Sequence, residues 1–157
     1  MNRLAFVLLP LVAGCSISDI YHGGAPVKTS DWLETGEIRK PRAEITRTVR
    51  ELILRQGYTP PEFVDDRVET DWDVHLSPRF REGYRTKLEA EIVPVGADGF
   101  NVRVRSTMEI NNSQHGNMQE RADWIGAGAS EKHKDHIADE AVKLRSTLKF
   151  RFFGLNP

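Results

Sequence analysis

Apolar residues recur along this chain with two periods, and the stretches where each period holds predict the regular elements. Between residues 41 and 56, Ile45, Val49, Leu52 and Ile53 fall at i, i+4, i+7 and i+8, which places them on one helical face. Pro41 suits a first turn, Gly57 suits a C-cap, and Pro60-Pro61 forbid continuation. A second helix is expected from a cap at Ser130 to Lys149, with Ile137, Ala141, Leu144 and Leu148 as its stripe.

Three segments between these helices alternate strictly. In the first, Val68, Thr70, Trp72, Val74 and Leu76 oppose Arg67, Glu69, Asp71, Asp73 and His75. In the second, Tyr84, Thr86, Leu88, Ala90 and Ile92 oppose Arg85, Lys87, Glu89 and Glu91. In the third, Phe100, Val102, Val104, Ser106, Met108 and Ile110 oppose Asn101, Arg103, Arg105, Thr107 and Glu109. One dry face and one polar face imply antiparallel strands. Ala97-Asp98-Gly99 reads as a three-residue hairpin loop with glycine in the left-handed position. Setting Gly96 opposite Phe100 then pairs Ile92 with Val104, Glu91 with Arg105 and Lys87 with Glu109. The expected fold is a two-layer α+β domain of helix, three-stranded antiparallel sheet and helix, with both helices on one face and Trp72 buried beneath them.

Elsewhere the periods fail. From residue 16 to 40, Gly23-Gly24 and Pro26 mark an irregular segment, although Trp32 and Leu33 predict that part of it is ordered. Residues 111–128 are polar and irregular apart from an island at Trp124-Ile125. The aromatic tail Phe150-Arg151-Phe152-Phe153-Gly154-Leu155 is expected to pack on the domain.

The N-terminus follows a different logic. Arg3, an apolar run from Leu4 to Val12 and small residues before Cys15 have the grammar of a secretory signal. The run is shorter than the roughly 20 apolar residues a spanning helix needs. Leu11-Val12-Ala13-Gly14-Cys15 resembles a bacterial lipobox. The resemblance implies that residues 1–14 are removed and that the Cys15 thiol carries a diacylglyceryl group, anchoring the chain in a membrane without spanning it. Ser16 after the cysteine resembles an outer-membrane sorting signal, so the implied location is the periplasmic face of that membrane. The organisation expected is a signal (1–14), a lipidated tether (15–40) and one domain (41–157).

Composition narrows the function further. The 157 residues hold 22 Lys and Arg against 23 Asp and Glu, a net charge of −1 that becomes −2 once Arg3 is lost. Such a balance gives no reason to expect nucleic acid as a partner. A single cysteine leaves no disulfide. His133, His136 and Glu140 have helical spacing that would suit a metal, but the pattern is not His-Glu-x-x-His and Lys132 and Lys134 oppose a cation. They are read as a solvated helix face. The arginines at 42, 47, 50 and 55 raise a lipid-headgroup contact, but Glu44 and Glu51 interrupt them, and a solvated face is expected there too. No phosphate-binding glycine loop and no nucleophile elbow is found, so neither an enzyme nor a cofactor nor a metal site is expected.

The polar sheet face is the expected partner surface: Asp71, Asp73, Arg85, Lys87, Arg103 and Arg105, held by cross-strand ion pairs. The element order, the lipobox, and Val68-Glu69-Thr70-Asp71-Trp72 with Arg85 in the next strand resemble the helix-grip domains of small lipoproteins in the outer-membrane β-barrel assembly machinery. That resemblance implies a non-catalytic accessory or scaffold that meets an envelope protein through its surfaces. The alternative is a lipid- or small-hydrophobe-binding module, with a groove between helices and sheet lined by Trp72, Tyr84, Leu88, Phe100 and Leu144.

Overall fold

Two long strands, β4 (Tyr84–Val95) and β5 (Gly99–Asn111), form an antiparallel hairpin that carries the rest of the molecule. A computed structural model describes residues 29–59, 63–79, 82–113, 118 and 121–154. The expected signal and the lipobox-like stretch with Cys15 and Ser16, the glycine and proline residues at 23–26, and Pro60-Pro61 lie outside the described residues. Along the outer edge of β5 run β1 (Leu33–Ile38) and β6 (Trp124–Gly126); along the outer edge of β4 run β2 (Arg67–Glu69) and β3 (Asp73–His75). Among the described residues every pairing is antiparallel and the sheet has six strands.

The expected three-stranded sheet between two helices is therefore wrong. Among the described residues a strand, β1, precedes the first helix, and β6 lies in the stretch expected to be irregular. Both were hidden for a physical reason. A bulge between Glu34 and Glu37 breaks the alternation of β1, and Gly36 at φ 100° takes the bulge conformation. β6 is only three residues long and shows no period of its own.

The first alternating segment is also two strands. Thr70 N–H still donates to Leu88 in the β2 register, yet Asp73 stands opposite Thr86. Three steps on one chain thus match two on the other, and the extra residue reverses the side-chain parity. Val68 and Thr70 face the core, whereas Val74 pairs with Arg85 on the polar face.

The hairpin register is shifted by two residues from that expected: Val95 pairs with Gly99, Ile92 with Val102 and Glu91 with Arg103. The left-handed residue is Gly96 at φ 64°, so the loop is Gly96-Ala97-Asp98. Gly99 stays glycine for another reason: a Cβ there would stand 2.7 Å from Glu37 Cγ. A shift of two keeps each residue on its own face, so the division between dry and polar sides is unaltered.

The helices are α1 (Arg42–Arg55) and α2 (Asp139–Phe153). Ile45, Val49, Leu52 and Ile53 of α1 and Ala141, Leu144 and Leu148 of α2 join Leu88, Ala90, Ile92, Val102 and Val104 in one core, so both helices lie on the same sheet face. Burying such side chains contributes about 1.5–3 kcal/mol each. Helix α2 begins nine residues after Ser130, which instead accepts turn hydrogen bonds from the His133 and Lys134 N–H groups. Phe150–Phe153 belong to the helix rather than to a tail; Phe152 packs against the core, whereas Phe150 is exposed. A second, smaller cluster (Met108, Ile110, Ala127 and Ile137) fills the other end of the same face.

Candidate functional site

The sheet face turned away from the helices gathers all three tryptophans of the chain, each half-buried. Three short edge elements deliver them. Trp32 precedes Leu33, whose partner is Val104 on the dry face, so alternation turns Trp32 to the polar side. Trp124 pairs with Asn111 and shares its face. Trp72 sits in the break between β2 and β3, where the extra residue carries it across. This corrects the expectation of a Trp72 buried under the helices.

Each indole lies over cations. The Arg85 guanidinium carbon is 4.3 Å from the Trp72 ring centre and 4.7 Å from that of Trp124. Lys87 Nζ is 5.2 Å from Trp72. Trp32 covers Arg105 at 4.4 Å and Arg103 at 5.2 Å. Such contacts contribute about 0.5–1 kcal/mol when exposed and more when water is excluded. Arg103 Nε and Arg105 Nε make no hydrogen bond, which leaves the indole as their cover.

Each cation is paired with a carboxylate. Arg85 Nε donates to Glu109 at 2.6 Å, Arg103 Nη2 to Glu91 at 2.6 Å and Arg105 Nη2 to Glu89 at 2.8 Å. Arg67 also binds Glu89, and Lys87 binds Glu69. The side chains of Glu89 and Glu109 are only 6% and 8% exposed, against 22–33% for the four covering cations. Burial pushes the Glu89 carboxyl up, but the hydrogen bonds and charges of Arg105 and Arg67 outweigh it and hold the group below the usual carboxylate range. Glu89 and Glu109 thus lie innermost with Arg105 and Arg85 over them and indoles across the cations, whereas Glu91 and Glu69 pair with Arg103 and Lys87 nearer the surface.

Four of the expected surface residues, Arg85, Lys87, Arg103 and Arg105, meet here. Asp71 is exposed beside the strand break, with no ion pair to the four. Asp73 departs from the face, because the parity reversal places it opposite Thr86, where it bonds His75 at 2.8 Å. Sequence reasoning missed the tryptophans as members of this surface. One signal was available: the observed register matches Glu89 with Arg105, Glu91 with Arg103 and Arg85 with Glu109, three complementary pairs where the expected register gives two.

A second polar cluster lies on the opposite face, beside the N-terminal end of α2. A cleft of about 290 Å³ is lined by Tyr84, His133, His136, Asp139, Glu140 and Lys143 among others. His133, His136 and Glu140 do converge, but from a turn, a single 3-10 turn and α2 respectively, and His133 is buried rather than solvated. His75 stacks on Tyr84 at 4.6 Å, His136 Nδ1 bonds Asp139 at 2.9 Å, and Lys143 bonds Glu140 at 2.5 Å. The Glu140 carboxylate raises the Lys143 ammonium above its ordinary value, and burial pushes the Tyr58 phenol up while its hydrogen bond to Thr86 lowers it. Among the described residues no three His, Cys, Asp or Glu side chains are arranged to hold a metal ion.

The groove expected between helices and sheet does not assemble from its five named residues. Leu88 and Leu144 are fully buried in the core, and Trp72 is on the other face. No protein-family model matches the sequence, and no curated protein matches it.

Proposed function

We propose that this protein is a membrane-anchored, non-catalytic accessory protein of the cell envelope, and that it holds a protein partner on the tryptophan-covered sheet face. The single observation that carries this reading is the placement of Trp32, Trp72 and Trp124, half-exposed, on the side opposite both helices. Tryptophan and arginine are the residues most enriched at the energetic centres of protein interfaces. Each of the four cations here already has a carboxylate partner, so the face offers aromatic area on a rigid plane rather than unpaired charge. That suits a protein surface better than a polyanion. The anchor rests on the lipobox-like sequence at Leu11–Cys15.

The test is site-specific photo-crosslinking in native membranes. A benzoylphenylalanine placed at Trp72 or Trp124 should capture one and the same envelope protein, whereas the same probe at Lys149 or Arg151 on α2 should not. Capture from α2 alone would move the interface to the helical layer and overturn the reading.

A further inference from the structure

The outer face of α1 borders a hollow of about 670 Å³. Ala43, Thr46, Arg47 and Arg50 line it and are spaced i, i+3, i+4 and i+7, so they share one helical face. The small side chains at 43 and 46 leave the space, and the two arginines flank it. Across from the helix stands a tight turn in which Val64 and Arg67 exchange backbone hydrogen bonds of 2.9 Å each way. Its central residues, Asp65 and Asp66, both take left-handed backbone conformations, at φ 48° and 66°. Two consecutive non-glycine residues there are unfavourable unless held. Arg42 holds this wall to the helix through its ion pair with Asp66. Half-buried Phe63, packed against the core, lines the same wall.

The charges in this hollow are unequally committed. Arg42 is paired with Asp66, and the neighbouring cations Lys40 and Arg55 have Glu44 and Glu51. Arg47 and Arg50 form no ion pair with any described residue. Asp65 is the remaining carboxylate among the described lining residues, so in that lining two guanidinium groups without an ion pair stand against one acid and the described charges sum to net positive. A guanidinium fork matches a phosphate in shape and charge, and Phe63 and Ala43 beside it suit hydrocarbon.

We propose that this hollow binds the phosphate of an anionic amphiphile, with Arg47 and Arg50 paired to the phosphate oxygens and the apolar body lying along Phe63 and Ala43. The site is independent of the tryptophan face and of any lipid on Cys15. Full-length protein titrated with soluble dihexanoylphosphatidylglycerol and followed by native mass spectrometry should take up one equivalent. The R47E/R50E variant should bind at least about tenfold more weakly, since two charge-assisted contacts become repulsive. Ala43→Trp, which fills the hollow without touching a charge, should weaken binding comparably. Both changes are at exposed positions, and unaltered melting temperatures would show that the fold is intact. Dihexanoylphosphatidylcholine and inorganic phosphate should bind more weakly than the phosphatidylglycerol. Undiminished binding by either variant, or equal affinity for inorganic phosphate alone, would overturn the proposal.

Discussion

Trp72 lies over Arg85 and Lys87 on the side away from the helices, so its removal takes away a half-exposed ring rather than a core side chain. Trp72→Ala should therefore cost about 1 kcal/mol, the scale of a surface cation–π contact. Leu144→Ala, which empties a fully buried site between sheet and α2, should cost about 2–5 kcal/mol. Urea unfolding of the two variants checks this, and equal losses would place Trp72 back in the core. Glu89 couples the stability of this face to pH. Its carboxyl is depressed in the folded state, so the stability it contributes is complete above the unfolded value of about 4.3 and is lost as pH falls through the lower folded value. Glu89→Gln should lower stability at neutral pH and flatten the dependence on the acid side of the unfolded carboxylate value, as read from acid unfolding midpoints. For the same reason, reversing Arg105 to Glu is not a harmless surface change, since it would set a second carboxylate against a buried one.

At the scale of elements, two departures from regularity shape the sheet edges: the bulge in β1 and the extra residue between β2 and β3, the second of which places Trp72 on the open face. The β1 bulge is secured by Asn101, whose Oδ1 accepts from Thr35 Oγ1 at 3.2 Å and from Gly36 N–H at 3.1 Å while its Nδ2 donates to Glu34 at 2.9 Å. Thr35 Oγ1 also accepts from Val102 N–H at 3.1 Å, tying the bulge back to β5. Truncating Asn101 leaves these groups without their partner, which costs about 1–3 kcal/mol per buried unsatisfied group. Asn101→Ala should accordingly lower stability by an amount in that range. It should also speed amide hydrogen exchange across Leu33–Ile38 before it does so across β4. Uniform exchange over the whole sheet would mean that the bulge is not a separate unit of β1.

At the scale of the molecule, the two helices cover one face and leave the other to the carboxylates, cations and indoles. A domain built in this way can be held at a membrane without its fold depending on the anchor. Cys15→Ala should leave the melting temperature unchanged and release the protein from membranes. It should also abolish labelling by a clickable fatty acid. Unlabelled wild-type protein, or a variant that still sediments with membranes, would remove the anchor from the proposed function. The described residues contain no helix long and apolar enough to cross a bilayer.

The sequence alone determined what depends on the backbone's own period. Ile45, Val49, Leu52 and Ile53 mark α1, and the alternation of β4 and β5 separates Leu88, Val102 and Val104 from Arg85, Arg103 and Arg105. These faces are local properties of a strand or helix and survive any even shift in pairing. Only the tertiary structure decided what depends on a partner strand. The register between β4 and β5 turned on which glycine took the left-handed position, Gly96, and on Glu37 packing against Gly99. The unbroken alternation from Val68 to Leu76 concealed an extra residue, because a bulge is visible only against the neighbouring strand that lacks it. That one residue sends Trp72 to the open face and Asp73 to the covered one. Strand β1 escaped notice because its own bulge erases the period. The tryptophan face is therefore assembled by non-local pairing, from three edge elements more than 30 residues apart in sequence, while the chemistry of its cations was already written in the alternation.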